Sequence, residues 1–193
     1  MAPENIYSAH IFAGGGDLMA FAPNFDRYLK RGLDDDLKGY AWKTGWSEKG
    51  QTWKVDVGGS PKKSGRRLIL IEVELKKDNP VENVVKIWRW AREKEKNQRI
   101  LFIQAFSSHY YKTKRKQYNR SIFIGERMKE DRFLHIDYEN LPIFGKTTAR
   151  KRIQFTPQMR RGSVVKEGGG AMHRAARTLA EDIAKRLHAK LRL

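Results

Sequence analysis

An α/β fold is what this sequence predicts, with elements in the order helix, three strands, helix, strand, helix, strand, and an amphipathic helix at the C-terminus. Three observations lead there. Apolar runs of strand length, Leu68 to Lys76 and Ile100 to Phe106, are bounded by polar residues, as buried strands are. Between them stands a helical pattern that opens on Asn79-Pro80-Val81-Glu82, with Asn as N-cap, Pro at the first helical position and Glu where a capping box wants it. From Ala171 to Leu191, apolar residues recur at helical spacing (Met172, Ala175, Ala176, Leu179, Ile183, Leu187, Leu191).

Residues 1 to 16 carry few helix signals and end in Gly14-Gly15-Gly16. The GxGxxG spacing and a preceding strand are both missing, so a flexible turn is expected there. A helix follows from about Asp17 to Leu33, interrupted at Pro23, with Phe21, Phe25, Tyr28 and Leu29 on its apolar face. Asp34-Asp35-Asp36 reads as a solvated helix end, because adjacent helical residues do not face one another. Residues 39 to 48 alternate as a first strand.

Residues 52 to 76 then form two strands joined by a basic, glycine-containing loop. Side chains alternate faces along a strand. Ile69, Ile71, Val73 and Leu75 therefore share one face, while Leu68, Leu70, Glu72, Glu74 and Lys76 share the other. Burying that second row is costly unless the charges are paired or bind a cation. Asp56, between Val55 and Val57 on the first strand, can approach Glu72 and Glu74 when the hairpin closes. Carboxylates and a lysine meeting at the ends of buried strands suit a Mg²⁺ site that cleaves phosphodiesters. Surface salt bridges between these acids and nearby lysines are the plainer alternative.

On the helix after Lys76, Val81, Val84, Val85, Trp88 and Ala91 form the expected apolar stripe. Asn83 and Lys86 lie to another side, within reach of a phosphate or of a carboxylate to orient; Glu82 and Lys86 are also an i,i+4 pair. Gln104, inside the apolar run Ile100 to Phe106, needs hydrogen-bond partners if buried, either at the site or at a sheet edge. Residues 132 to 138 read as the next strand, ended by Pro142 and Gly145. Gly145-Lys146-Thr147 is no phosphate loop, since Asn140 stands where that motif requires glycine.

The chain has 193 residues, enough for one domain with a real core. Forty Lys+Arg against 22 Asp+Glu leave a net charge of +18, an excess whose usual use is neutralising DNA or RNA phosphates. Five tryptophans and 11% aromatics exclude a disordered basic tail. Cysteine is absent, which excludes disulfides, thiolate zinc sites and cysteine nucleophiles. The five histidines show no metal-ligand spacing. No apolar stretch approaches the roughly 20 residues that span a bilayer, and the N-terminus lacks a signal-peptide pattern, so a cytoplasmic protein with no membrane partner is expected.

Basic residues concentrate in two places. The loop from Gly58 to Arg67 holds Lys62, Lys63, Arg66 and Arg67, which a solvated turn and a tip following a phosphate backbone explain equally. The segment after Phe106 carries Lys112, Lys114, Arg115, Lys116 and Arg120 among tyrosines, and contact with nucleic acid is its favoured role. Base stacking by those tyrosines competes with packing on a helix face. A further irregular basic stretch spans Arg150 to Arg161, followed by a glycine hinge at 168–170.

An acid on one strand followed by Glu-x-Lys on the next resembles the signature of the PD-(D/E)XK nuclease superfamily. Here it is Asp56 with Glu74-Leu75-Lys76, plus Glu72 as an extra acid; the proline that names the motif is missing, since Val55 precedes Asp56. The resemblance covers roughly residues 17 to 138. It implies a restriction-endonuclease-like α-β-β-β-α-β core, a mixed central sheet flanked by helices, over residues 1–145, with 146–193 as a basic extension bearing the amphipathic helix. It implies a Mg²⁺-dependent endodeoxyribonuclease, with Mn²⁺ able to substitute, acting on duplex DNA. Asp56 and Glu74 would hold the metal, and Glu72 would be a further ligand or outer-shell base. Lys76 would position or help deprotonate the attacking water. An acid from the first helix also belongs to the pattern, and Asp26 is the nearest candidate. Cleavage of a palindrome would call for a homodimer. The alternative is a basic DNA- or RNA-binding protein without catalysis.

Overall fold

The computed structural model describes residues 15–75, 79–93, 98–143 and 171–191. The elements are α1 (Gly15–Asp36), β1 (Tyr40–Trp46), β2 (Val55–Pro61), β3 (Leu68–Glu74), α2 (Val81–Glu93), β4 (Ile100–Phe106), α3 (Ser108–Lys112), α4 (Arg115–Lys129), β5 (Ile136–Pro142) and α5 (Ala171–Leu191). One five-stranded sheet runs in the order β1-β2-β3-β4-β5. The β1–β2 and β2–β3 pairs are antiparallel hairpins, whereas β3–β4 and β4–β5 are parallel. Parallel neighbours need a crossover; α2 supplies the first, and α3 with α4 the second.

The alternation along β3 divides the core in two. Ile69 and Ile71 pack with Phe25, Leu29 and Leu33 of α1 and with Ala176, Leu179 and Ile183 of α5. Leu68 and Leu70 pack on the opposite face with Val84, Ile87 and Trp90 of α2 and Met128 of α4. The amphipathic C-terminal helix thus shares the core of the first helix instead of projecting as an arm. Arg177 of α5 reaches Asp35 and Asp36, so the acidic run at the end of α1 meets a cation. That offsets acids at a helix C-terminus, where the dipole disfavours them.

Close approach on β2 depends on Gly58 and Gly59. A Cβ at Gly58 would enter the ring of Trp46, and one at Gly59 the ring of Trp42. Among the described residues no helix is long and apolar enough to cross a membrane.

Four expectations change. α1 begins at Gly15 and continues through Pro23 to Asp36. The two glycines are therefore the helix start, not a turn, and burial of Phe25, Leu29 and Leu33 outweighs the hydrogen bond that proline removes. β5 starts at Ile136, four residues later than the pattern indicated at Arg132, because a turn folded on Asp131 takes up Phe133 and Leu134. The tyrosine-containing segment is two helices, broken at Thr113 and Lys114. On α2 the buried face is Asn83, Val84, Ile87, Trp90 and Ala91, while Val85 is 47% exposed.

Candidate functional site: buried carboxylates where two strands part

The β2–β3 pairing runs from Gly59–Ile69 to Val57–Ile71. One step further, the same register would set Asp56 opposite Glu72. Instead the Asp56 carboxylate takes the place of a ladder partner, its Oδ2 accepting the Val73 N–H at 2.7 Å. The strand also rotates here, since Val57 packs on the α1 face and Val55 on the α2 face. Simple alternation therefore fails at Asp56, which comes to lie between acids from both sides.

Asp26 of α1 lies on one side. Burial, then the negative charge of Asp56, pushes its carboxyl up to about 8. Its Oδ1 is buried without a hydrogen-bond partner. Glu72 of β3 lies on the other side, 4% exposed. Burial raises its pKa well above the ordinary carboxylate range, and the charges of Asp56 and Glu74 raise it further. Lys86 opposes that rise: its ammonium pairs with Glu72 Oε1 and also donates to the Lys54 carbonyl at 2.7 Å. Lys86 thus bridges the entry to β2 and the acid row of β3, and the Glu82–Lys86 pair expected from helical spacing gives way to it. Glu82 is engaged by its own cap residue, Asn79.

Glu74, at 1% exposure, is the most deeply placed of the acids on β3. Its Oε1 accepts from Asn83 Nδ2 at 2.8 Å and Gln104 Nε2 at 2.9 Å. Two amide donors on one carboxylate oxygen fix its orientation. Gln104 lies across from Glu72 in the parallel β3–β4 register, in a central strand and not at an edge. Beyond the strand ends, the Ser107 N–H donates to the Glu74 carbonyl at 3.0 Å, which ties the start of α3 to the end of β3.

Asp56 thus lies within electrostatic reach of Asp26 and of Glu72, and Glu72 within reach of Glu74. Lys76 lies outside the described residues, as do the basic stretch 150–161 and the glycines at 168–170. Asn83 is buried at 3% exposure, so it is a support for Glu74 and not a surface for phosphate. Lys86 likewise faces an acid in place of solvent phosphate. The β2–β3 loop with Lys62, Lys63, Arg66 and Arg67 sits at the opposite end of the hairpin, a strand length or about 20 Å from Asp56. There Arg67 is paired with Asp137, and Arg66 and Arg67 lie near Tyr40. Arg115, Lys116 and Arg120 are exposed on α4, whose Tyr118 packs on Phe106 at the C-terminal end of β4, so that its first turns lie at the acid end of the sheet. Lys114 is half-buried, and the side chain of Lys112 lies outside the described set.

No three His, Cys, Asp or Glu side chains among the described residues close into a cage around one ion. Hard carboxylate oxygens at a buried, mutually repelling cluster are nonetheless the donor type that Mg²⁺ takes, and that ion is commonly held by one or two carboxylates, with water and substrate completing its shell. The orphaned oxygen of Asp26 and the raised pKa values of Asp26 and Glu72 mark a set of acids held out of water against one another. Comparison with protein-family models, curated proteins and solved structures gave no match. Over the described residues the chain is an α/β protein with a five-stranded mixed sheet flanked by helices, with Glu72 and Glu74 at the C-terminal end of β3.

Proposed function

We propose that this protein is a Mg²⁺-dependent endonuclease of the PD-(D/E)XK type that hydrolyses phosphodiester bonds of duplex DNA. The observation that carries the reading is the meeting of Asp56 with Glu72 where β2 parts from β3, with Glu74 one turn of the pleat further along and fixed by two amides. Crevices at the carboxyl ends of parallel strands are where open α/β sheets bind ligands.

Asp56 and Glu74 would hold the metal, with Glu72 as an additional ligand or outer-shell base. When bound, Mg²⁺ (or Mn²⁺) supplies an acidified water and neutralises charge on the phosphorane. Asn83 and Gln104 keep Glu74 oriented. Lys86 holds positive charge beside Glu72, which limits repulsion within the cluster and between the cluster and an approaching polyanion. Lys76, two residues beyond Glu74, is the proposed amine for the attacking water. Arg115, Lys116 and Arg120 at the same end of the sheet, together with the net charge of +18, supply the attraction for the DNA backbone.

A second reading, a basic DNA- or RNA-binding protein without catalysis, draws on the Lys86–Glu72 pair, in which one of the acids is already neutralised by the chain itself. Plasmid cleavage separates the two. Wild-type protein is expected to nick or linearise supercoiled plasmid with Mg²⁺ and not with chelator. Asp56→Ala and Glu74→Ala should lose cleavage while still shifting DNA in a gel. A folded wild-type protein that leaves plasmid intact with Mg²⁺ or Mn²⁺ contradicts the nuclease reading.

A further inference from the structure

A glutamine in the middle of β4 is out of place on composition alone. All seven residues of that strand are buried, and the other six are apolar. A buried amide is tolerated only when its two N–H groups and its oxygen lone pairs find partners. Gln104 finds four. Its Nε2 donates to Glu74 Oε1 at 2.9 Å and to the Pro80 carbonyl at 3.0 Å. Its Oε1 accepts from Ser121 Oγ at 2.7 Å and from the Tyr138 hydroxyl at 2.9 Å. Turning the amide over would set its oxygen against a carboxylate and a carbonyl, so only one orientation satisfies the site.

These partners come from three elements and the segment before a fourth. Glu74 ends β3, Pro80 leads into α2, Ser121 lies in α4 and Tyr138 in β5. Both Ser121 and Tyr138 are buried. Gly125, one turn beyond Ser121, makes the arrangement possible, because a Cβ there would enter the Tyr138 ring. Two hydroxyls donating to Oε1 polarise the amide and strengthen its N–H donors towards Glu74. The helix that carries Ser121 also carries Arg115, Lys116 and Arg120 on its exposed side.

We infer that Gln104 is a positioning residue which, held by Ser121 and Tyr138, sets the Glu74 carboxylate for its ion and ties the placement of the basic helix α4 to that carboxylate. The inference rests on the reading of Glu74 as a metal ligand. It assigns no contact between Gln104 and either ion or DNA.

The test uses the full chain as wild type, Gln104→Met and Ser121→Ala. Mn²⁺ affinity is measured by calorimetry, the Mg²⁺ concentration for half-maximal plasmid cleavage by titration, and folding by thermal melting. Loss of an outer-shell partner weakens metal binding by about 10- to 100-fold. Gln104→Met is therefore expected to raise the half-saturating Mg²⁺ and the Mn²⁺ dissociation constant by about tenfold, with metal-free DNA affinity unchanged. Ser121→Ala keeps both amide donors on Glu74 but loosens the amide, and about a threefold rise is expected. Should Gln104→Met fail to fold, Ser121→Ala decides alone, since a serine that only fills space would leave metal dependence unmoved. Folded variants with wild-type metal dependence overturn the inference and leave the nuclease reading standing. A wild-type protein that neither binds Mn²⁺ nor cleaves overturns both.

Discussion

At one end of the sheet, Glu72 and Glu74 are carboxylates almost wholly removed from water, and Asp26 and Asp56 crowd towards them. At the other end, Lys62 and Lys63 stand in solvent while Arg67 is paired with Asp137 at the surface. Both ends belong to the same β2–β3 hairpin and both are dense in charge. What differs is burial. The exposed cations cost the fold little and are screened by salt. The buried acids repel one another in a medium that screens poorly, and Lys86 and the amides of Asn83 and Gln104 offset part of that. Charge density alone therefore says little about where chemistry is done, whereas charge withheld from water says a good deal.

The sharpest way to break this comparison is to remove an acid from the buried end. Glu74→Ala is expected to lower cleavage at least about 10³-fold, the scale of losing a preorganised electrostatic element, measured as the initial rate of plasmid nicking. Lys62→Ala with Lys63→Ala at the far end should leave that rate within about threefold, because surface charges that distance away act only through screened attraction.

Next in size is the stability effect of Lys86→Met. It leaves Glu72 buried without its cation, and a loss of about 2–3 kcal/mol is expected from denaturant unfolding. That lies below the figure for a fully buried pair, because Lys86 keeps part of its side chain in water.

The pH dependence sharpens the same point. In the folded protein Asp26 keeps its proton up to about 8, while in the unfolded chain the carboxyl releases it near 3.8. Between those values the folded state binds more protons, so stability falls as pH rises through the window. Asp26→Asn removes this contribution. Its melting temperature should gain on that of wild type between about pH 5 and pH 8, and a constant difference across the range contradicts the assignment.

Smaller effects separate the two basic regions. Arg115→Ala with Lys116→Ala is expected to reduce the slope of log affinity against log salt by about one to two, as each lost phosphate contact would. Arg67→Ala removes a surface ion pair and should change stability by less than about 1 kcal/mol.

How much of this could be read from the chain depends on whether local pattern or tertiary packing decided each feature. β4 was legible to the residue, because six apolar positions around a single glutamine, bounded by Arg99 and Ser107, admit little else. The two faces of β3 followed from alternation, and the core divides along that line. α2 was legible as a helix but not in its rotation. Val84, Val85, Ile87, Trp88 and Trp90 offer apolar residues in several directions, and the stripe chosen put Val85 inwards and Asn83 outwards. The sheet turns both round, and of the two roles open to Asn83, contact with a phosphate or orientation of a carboxylate, its burial leaves the second. A polar residue at the core-facing phase, four before Ile87, was the available signal. Lys86 was near enough to be noticed, but its pairing with Glu72 required knowing that α2 lies over the acid row. At Asp56 alternation itself fails, because the strand turns over between Val55 and Val57. The basic hairpin loop is legible by composition, whereas its place at the opposite end of the hairpin from the acids follows only from the strand direction.

The most direct test of the central claim, that these buried acids grip a divalent ion, is calorimetric titration of Mn²⁺ into metal-free protein, wild type against Asp56→Asn with Glu74→Gln. The expected result is saturable binding to wild type that the double variant loses while remaining folded. Equal heats for the two folded proteins, or none from wild type, would contradict the account.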